Sequence, residues 1–169
     1  MDLGISGKVI LITGAGSGIG RRTAEVLASE GAVMALADVN QKGLADTEAA
    51  IKGKGGKAAS FPLDVTSHTA CETIVQKVVK EVGPLYGLCN VAGVLVGTPF
   101  QESSPENWEA ELNVCLKGTM NLSHAAIPEL TKLEYAKIVN VASDAARIGE
   151  KTMVAYSAAK GGVVSFTKS

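Results

Sequence analysis

Tyr156 and Lys160 stand four residues apart in the run Tyr156-Ser157-Ala158-Ala159-Lys160, a spacing that puts both side chains on one face of a helix. An ammonium beside a phenol favours the phenolate, which makes such a pair usable for acid and base work on a substrate oxygen. Ser143 lies thirteen residues upstream, at the expected end of a strand, where a hydroxyl can reach the same point and hold a carbonyl oxygen. Taken alone, the pair also fits an ordinary amphipathic helix.

A second stretch gives these residues something to act beside. In Val9-Ile10-Leu11-Ile12-Thr13-Gly14-Ala15-Gly16-Ser17-Gly18-Ile19-Gly20, a short β-branched run predicts a central parallel strand buried on both faces. The glycines that follow leave no Cβ on one side of the turn, so a phosphate can approach the backbone. Ala24, Leu27 and Ala28 then recur at helical spacing. The turn therefore opens a helix whose free N–H groups and dipole suit a pyrophosphate. The residues expected there are Gly14, Ser17, Gly18, Ile19 and Gly20.

The common Gly-x-Gly-x-x-Gly spacing does not fit, whereas Thr-Gly-x-x-x-Gly-x-Gly does, at Thr13, Gly14, Gly18 and Gly20. This resembles the cofactor motif of the short-chain dehydrogenase/reductase family. Asn90-Val91-Ala92-Gly93 resembles that family's Asn-Asn-Ala-Gly turn, with Val91 in place of the second asparagine. The resemblance runs from Thr13 to Lys160 and implies a catalytic set of Asn113, Ser143, Tyr156 and Lys160. Hydride would pass between a nicotinamide and a carbinol or carbonyl carbon. Tyr156 would exchange the proton and Ser143 would orient the oxygen. Lys160 would tune the phenol and bind the nicotinamide ribose, and Asn113 would hold a relay water. Read without the resemblance, Asn113 is a satisfied core amide.

The elements that must position these groups alternate strand and helix. Strands are expected at 9–12, 32–38, 57–63, 86–89 and 137–142, and helices from Ile19, at 41–52, before Gly83-Pro84 and from Ser104-Pro105. Thr69-x-x-Glu72 is a candidate capping box, Trp108, Leu112 and Leu116 the expected buried face, and Gly118 and Pro128 the places where the helix is expected to bend or be interrupted. This predicts a single Rossmann-like α/β domain over 1–169, a doubly wound parallel sheet in the order 3-2-1-4-5. The family adds two more strands and a substrate lid after its Tyr/Lys helix. The resemblance thus makes the chain a shortened form with its fifth strand as an edge. A non-catalytic dinucleotide-binding module is the alternative reading, and a subunit that binds no nucleotide is a third.

Asp38 ends the second strand at about the interval of a ribose partner, where a carboxylate accepts from the 2′- and 3′-hydroxyls and repels a 2′-phosphate. NAD is therefore expected over NADP. Asn40 is the residue suited to cap the next helix, and Arg21 and Arg22 suit a solvated helix face more than a phosphate clamp. In the resembled family the pair Asp64-Val65 flanks adenine; from sequence alone it equally ends a strand. Asn90, Ala92 and Gly93 would approach the cofactor, and the apolar loop after Gly93 would suit an uncharged alcohol or ketone. Residues 140–147 resemble family members acting on hydroxylated alicyclic acids or their acyl-CoA esters, with Arg147 more in keeping with the surface.

Composition narrows the remaining classes. The chain has 169 residues, 46% hydrophobic and 20% charged, and a net charge of −1, so neither nucleic acid nor an anionic membrane is an expected partner. No apolar run approaches a membrane span, and residues 1–7 lack a leader pattern. Cys71, Cys89 and Cys115 are odd in number and unclustered, which predicts buried reduced thiols in the cytoplasm. His68 and His124 are expected to have no ligand partner, so no metal is expected. The resemblance implies a homodimer or homotetramer, paired through the helices from Pro105 and from Ala155.

Overall fold

A computed structural model describes residues 3–169; the leader-pattern reading of residues 1–7 falls partly on Met1 and Asp2, outside the described residues. Five strands, β1 Val9–Thr13, β2 Val33–Asp38, β3 Lys57–Pro62, β4 Leu85–Asn90 and β5 Lys137–Asn140, form one sheet in the order β3-β2-β1-β4-β5. Every pairing is parallel, with Ile12 opposite Leu36 and Cys89 in adjoining ladders. Between them run α1 Gly18–Ser29, α2 Gln41–Gly53, α3 His68–Glu81, α4 Pro105–Leu112 and α5 Gly118–Leu130. After β5 come the short α6 Ala145–Ile148 and then α7 Val154–Lys168.

The strands sit between two apolar layers because alternate side chains leave opposite faces. Leu11 and Leu88 pack with Val75 and Leu122 from α3 and α5, while Ile10 and Ile12 pack with Ala24 and Leu44 from α1 and α2. All five residues of β1 are buried, as a central strand covered on both sides requires. The chain order reverses direction at β1, so the strand ends of β1 and β4 diverge and leave a crevice between their loops.

Local structure answers the sequence expectations in particulars, and not always as expected. The cap of α3 is Ser67, whose side chain accepts from Ala70 N at 3.3 Å, so the capping box expected at Thr69 and Glu72 is not used. On α4 the buried residue is Glu111, not Leu112, which is 37% exposed; the tertiary contacts of the β4–α4 loop override the apolar stripe. A single π turn, Asn113–Lys117, joins α4 to α5, with Gly118 N donating to Asn113 O. The interruption expected at Gly118 takes this form, the π turn ending where Gly118 opens α5. Gly118 is small because a Cβ there would lie 2.6 Å from Val65 Cγ2. Pro128 is inside α5 near its end, where few helical bonds remain to lose. His68, finally, does have a carboxylate at helical spacing: Glu72 Oε2 lies 3.7 Å from its Nδ1, and its Nε2 is 3.3 Å from His124 Nδ1. Among the described residues no three such side chains gather into a metal-holding group.

Candidate active site

The loops after β1, β2, β3 and β4, together with α7, enclose a cleft of about 650 Å³ at the ends of the strands. Its floor is the glycine turn. Gly14 has φ +67° and Gly18 φ +49°, backbone that favours glycine. A Cβ on Gly14 would stand 3.1 Å from Ala92 N and Cα, so the absent side chain is what lets the β1 and β4 loops touch. That contact is fastened by Thr13 Oγ1, which accepts from Val91 N and from Ala92 N, each at 3.0 Å. Ser17 precedes α1 without a side-chain cap. The first N–H groups of α1 therefore carry no side-chain acceptor at the cleft, where Ser17, Gly18, Ile19 and Gly20 form its wall.

Asp38 closes one side. Its Oδ2 accepts from Gly16 N and its Oδ1 from Asn40 N, both at 2.9 Å, while Asn40 caps α2 by accepting from Gly43 N at 3.0 Å. The carboxylate is thus fixed in place and lines the cleft. Arg21 and Arg22 turn to Glu25, at 3.5 and 3.0 Å, and take no part in the cleft wall. Asp64 is exposed and accepts on Oδ1 from Thr66 N and Thr66 Oγ1; Val65 beside it is buried, and both line the cleft.

At the other end stand Tyr156 and Lys160, one turn apart on α7. Lys160 is 3% exposed; its Nζ donates to Val141 O at 2.7 Å and lies 5.7 Å from the centroid of the Tyr156 ring. Burial pushes the ammonium below the usual lysine range, an effect that negative charge on the neighbouring Cys115 sulfur would oppose. Apolar side chains of Val94, Leu95, Val114 and Val141 complete this end.

Three of the residues expected in the site lie off the cleft wall. The Asn90 side chain donates to Ser123 Oγ at 3.1 Å and Asn140 Oδ1 at 2.8 Å, tying β4 to α5 and β5. Asn113 opens the π turn and is half-buried. Ser143 Oγ accepts from Ala145 N at 3.2 Å and so starts α6. Ala92 and Gly93 do line the cleft. Cys115 of the π turn lies close to the lysine: a Cβ on Gly93 would be 3.6 Å from its Sγ and 3.9 Å from Lys160 Nζ. The sequence pattern marks Cys115 as a buried thiol, as it is, but not as part of the site, and it does not mark Glu111 at all. No spacing in the chain sets Glu111 apart among the glutamates of α4.

A parallel sheet in this order, with a glycine turn opening a helix at the crevice where strand order reverses, defines a Rossmann-type α/β protein. Residues 8–169 match the short chain dehydrogenase family profile, and the chain belongs to that family. It is 38% identical over 165 residues to the 2,3-dihydro-2,3-dihydroxybenzoate dehydrogenase of Bacillus subtilis (strain 168), covering 98% of this chain and 63% of that protein. Among solved structures, an NAD+-bound xylitol dehydrogenase aligns with a TM-score of 0.94 at 36% identity, over 97% of this chain and 64% of that one. A short chain dehydrogenase/reductase from Burkholderia phymatum in complex with NAD aligns with a TM-score of 0.93 at 35% identity, over 97% and 59%. The chain thus spans a little under two thirds of these relatives.

Proposed function

We propose that this chain carries the cofactor- and substrate-facing part of an NAD-dependent oxidoreductase that interconverts a secondary alcohol and a ketone. The observation that carries the reading is that Tyr156 and Lys160 meet the glycine turn in one cleft. A dinucleotide fits the residues present. The α1 N-terminus has no side-chain cap, a Cβ on Gly18 would meet nothing within 4 Å, and the fixed Asp38 carboxylate suits a pair of ribose hydroxyls. No arginine lines the cleft, and Arg21 and Arg22 are engaged with Glu25, which favours NAD over NADP. The names of the NAD-bound relatives point the same way.

The nicotinamide, when bound, supplies or takes the hydride. Tyr156 gives its phenolic proton to the ketone oxygen in reduction and takes the alcohol proton in oxidation. Lys160, anchored on Val141 O, keeps a positive charge beside the phenol and offers its remaining N–H bonds to the nicotinamide ribose. Ser143 accepts from Ala145 N, which leaves its own O–H to orient the substrate oxygen. The family resemblance gives Asn113 a relay water toward Lys160, a role its half-buried place at the start of the π turn, off the cleft wall, leaves open to it. The apolar wall at this end suits an uncharged reacting group. An alicyclic hydroxy acid or its acyl-CoA ester remains the substrate class suggested by residues 140–147. Exposed Leu112, Met120 and Ile127 on α4 and α5 support a homodimer or homotetramer, and three free buried thiols support the cytoplasm.

The test is NADH oxidation with a panel of cyclic and open-chain ketones, run on this chain and on Tyr156→Phe, beside NADH binding by both. Turnover that Tyr156→Phe abolishes while it still binds NADH supports the enzyme. Binding without turnover in the parent chain would favour the non-catalytic module.

A further inference from the structure

Two side chains one helical turn apart reach the same short stretch of backbone. Glu111, in the last turn of α4, is 4% exposed and accepts from Val96 N through Oε1 at 2.7 Å. Cys115, in the π turn and fully buried, meets both polar atoms of Val94: Val94 N donates to Sγ at 3.4 Å and Sγ donates to Val94 O at 3.4 Å. Only the protonated thiol can both donate and accept. Val94 and Leu95 wall the reacting end of the cleft, and Glu111 also lines a small groove with Thr152 and Ala155, in the segment leading into Tyr156.

Burying a carboxylate is costly unless it is hydrogen-bonded. The bond from Val96 N offsets part of that cost at Glu111. The π turn brings Cys115 under the same loop; a π turn shifts the face that the following residues present. We propose that Glu111 and Cys115 form a two-point clamp that fixes residues 94–96, and with them the apolar wall against which the reacting end of an uncharged substrate lies. Both are positioning residues. Their bearing on substrate rests on the dehydrogenase reading above, whereas the clamp itself does not.

Hydrogen–deuterium exchange on the 169-residue chain tests the clamp without any activity. Glu111→Ala and Cys115→Ala are expected to speed exchange of the 94–99 peptide by about tenfold, the worth of one such bond, with peptides from β1 and β2 unchanged. Glu111→Gln and Cys115→Ser, which keep an acceptor at each position, are expected to restore most of the protection. Unchanged exchange at 94–99 in the alanine variants, or faster exchange throughout the sheet, would overturn the clamp. A second measurement ties it to the cleft: the alanine variants should weaken NADH binding while leaving ADP-ribose binding as it was, and raise ketone KM more than they lower kcat. Equal loss of NADH and ADP-ribose binding in those variants counts against the clamp. Failure of the parent chain to bind either would overturn the dehydrogenase reading and leave the clamp to be decided by exchange.

Discussion

The Lys160 ammonium is fastened to the exit of the fifth strand: its Nζ donates to Val141 O at 2.7 Å and stands 5.7 Å from the Tyr156 ring centroid. A buried cation with one backbone acceptor has spare N–H bonds and an unmet demand for partners. That is the state expected of a group kept for a ligand rather than for the fold.

Lys160→Met separates the two roles. Burial already pushes the lysine below its usual range, so exchanging the ammonium for an apolar chain of similar length removes a desolvation cost and loses one hydrogen bond. The expected outcome is a ligand-free melting temperature no lower than that of the parent, with NADH affinity reduced by about tenfold or more. A melting temperature several degrees lower would mean that the bond to Val141 outweighs the desolvation.

Asp38→Asn tests nucleotide choice. The amide keeps an acceptor for Gly16 N or Asn40 N but loses the charge that two ribose hydroxyls would share. NADH affinity should fall about tenfold, since a bond to a charged group is worth more than one to a neutral group, and NADPH should bind more nearly as well as NADH. Fluorescence titration with both nucleotides decides it; an unchanged preference would remove Asp38 from the ribose site.

Thr13→Val addresses the joint between the β1 and β4 loops. One hydroxyl oxygen satisfies both Val91 N and Ala92 N, and valine would strand two partly buried donors. The cost expected is about 2 kcal/mol, read as a lower urea midpoint, and Thr13→Ser should recover most of it. Equal midpoints for the valine variant and the parent would show that the two N–H groups find other acceptors.

Much of this arrangement could be read from the chain, for identifiable reasons. The apolar runs gave β1, β2 and β4 nearly to the residue, because a strand covered on both faces has no polar face to obscure it, and the edge strands β3 and β5, partly exposed, were still placed within two residues. The α1 start was legible because only glycines fit between Gly14 and Ala92 or leave the helix end open. The clamp was not. Glu106, Glu109 and Glu111 look alike on α4, and only the passage of the Val94–Val96 backbone distinguishes the third. Nor could Val141 be marked, since it contributes a carbonyl that every residue possesses. The stripe of Trp108, Leu112 and Leu116 misled because an apolar helix face can lie open, as Leu112 does.

The thiols set a pH limit on the fold. Burial pushes Cys71 and Cys89 from the ordinary 9.0 up to about 11, with Asp64 and Glu72 adding to the effect at Cys71. Above the ordinary thiol range the unfolded chain sheds these protons while the folded chain keeps them, so the unfolded state binds fewer protons and stability falls as pH rises. Their contribution is therefore intact below pH 9.0 and is lost between there and about 11. The amount is at most on the order of 3 kcal/mol for each thiol. Lys160, lowered by burial, acts with the opposite sign below its ordinary 10.5. The measurement must for that reason be comparative: urea midpoints of the parent chain and of Cys71→Ala/Cys89→Ala at a series of pH values from 8 upward. The parent should lose stability more steeply, and both thiols should react with a disulfide reagent at pH 8 only after unfolding. Parallel slopes, or rapid labelling of the native chain, would mean that these two thiols ionise as freely folded as unfolded.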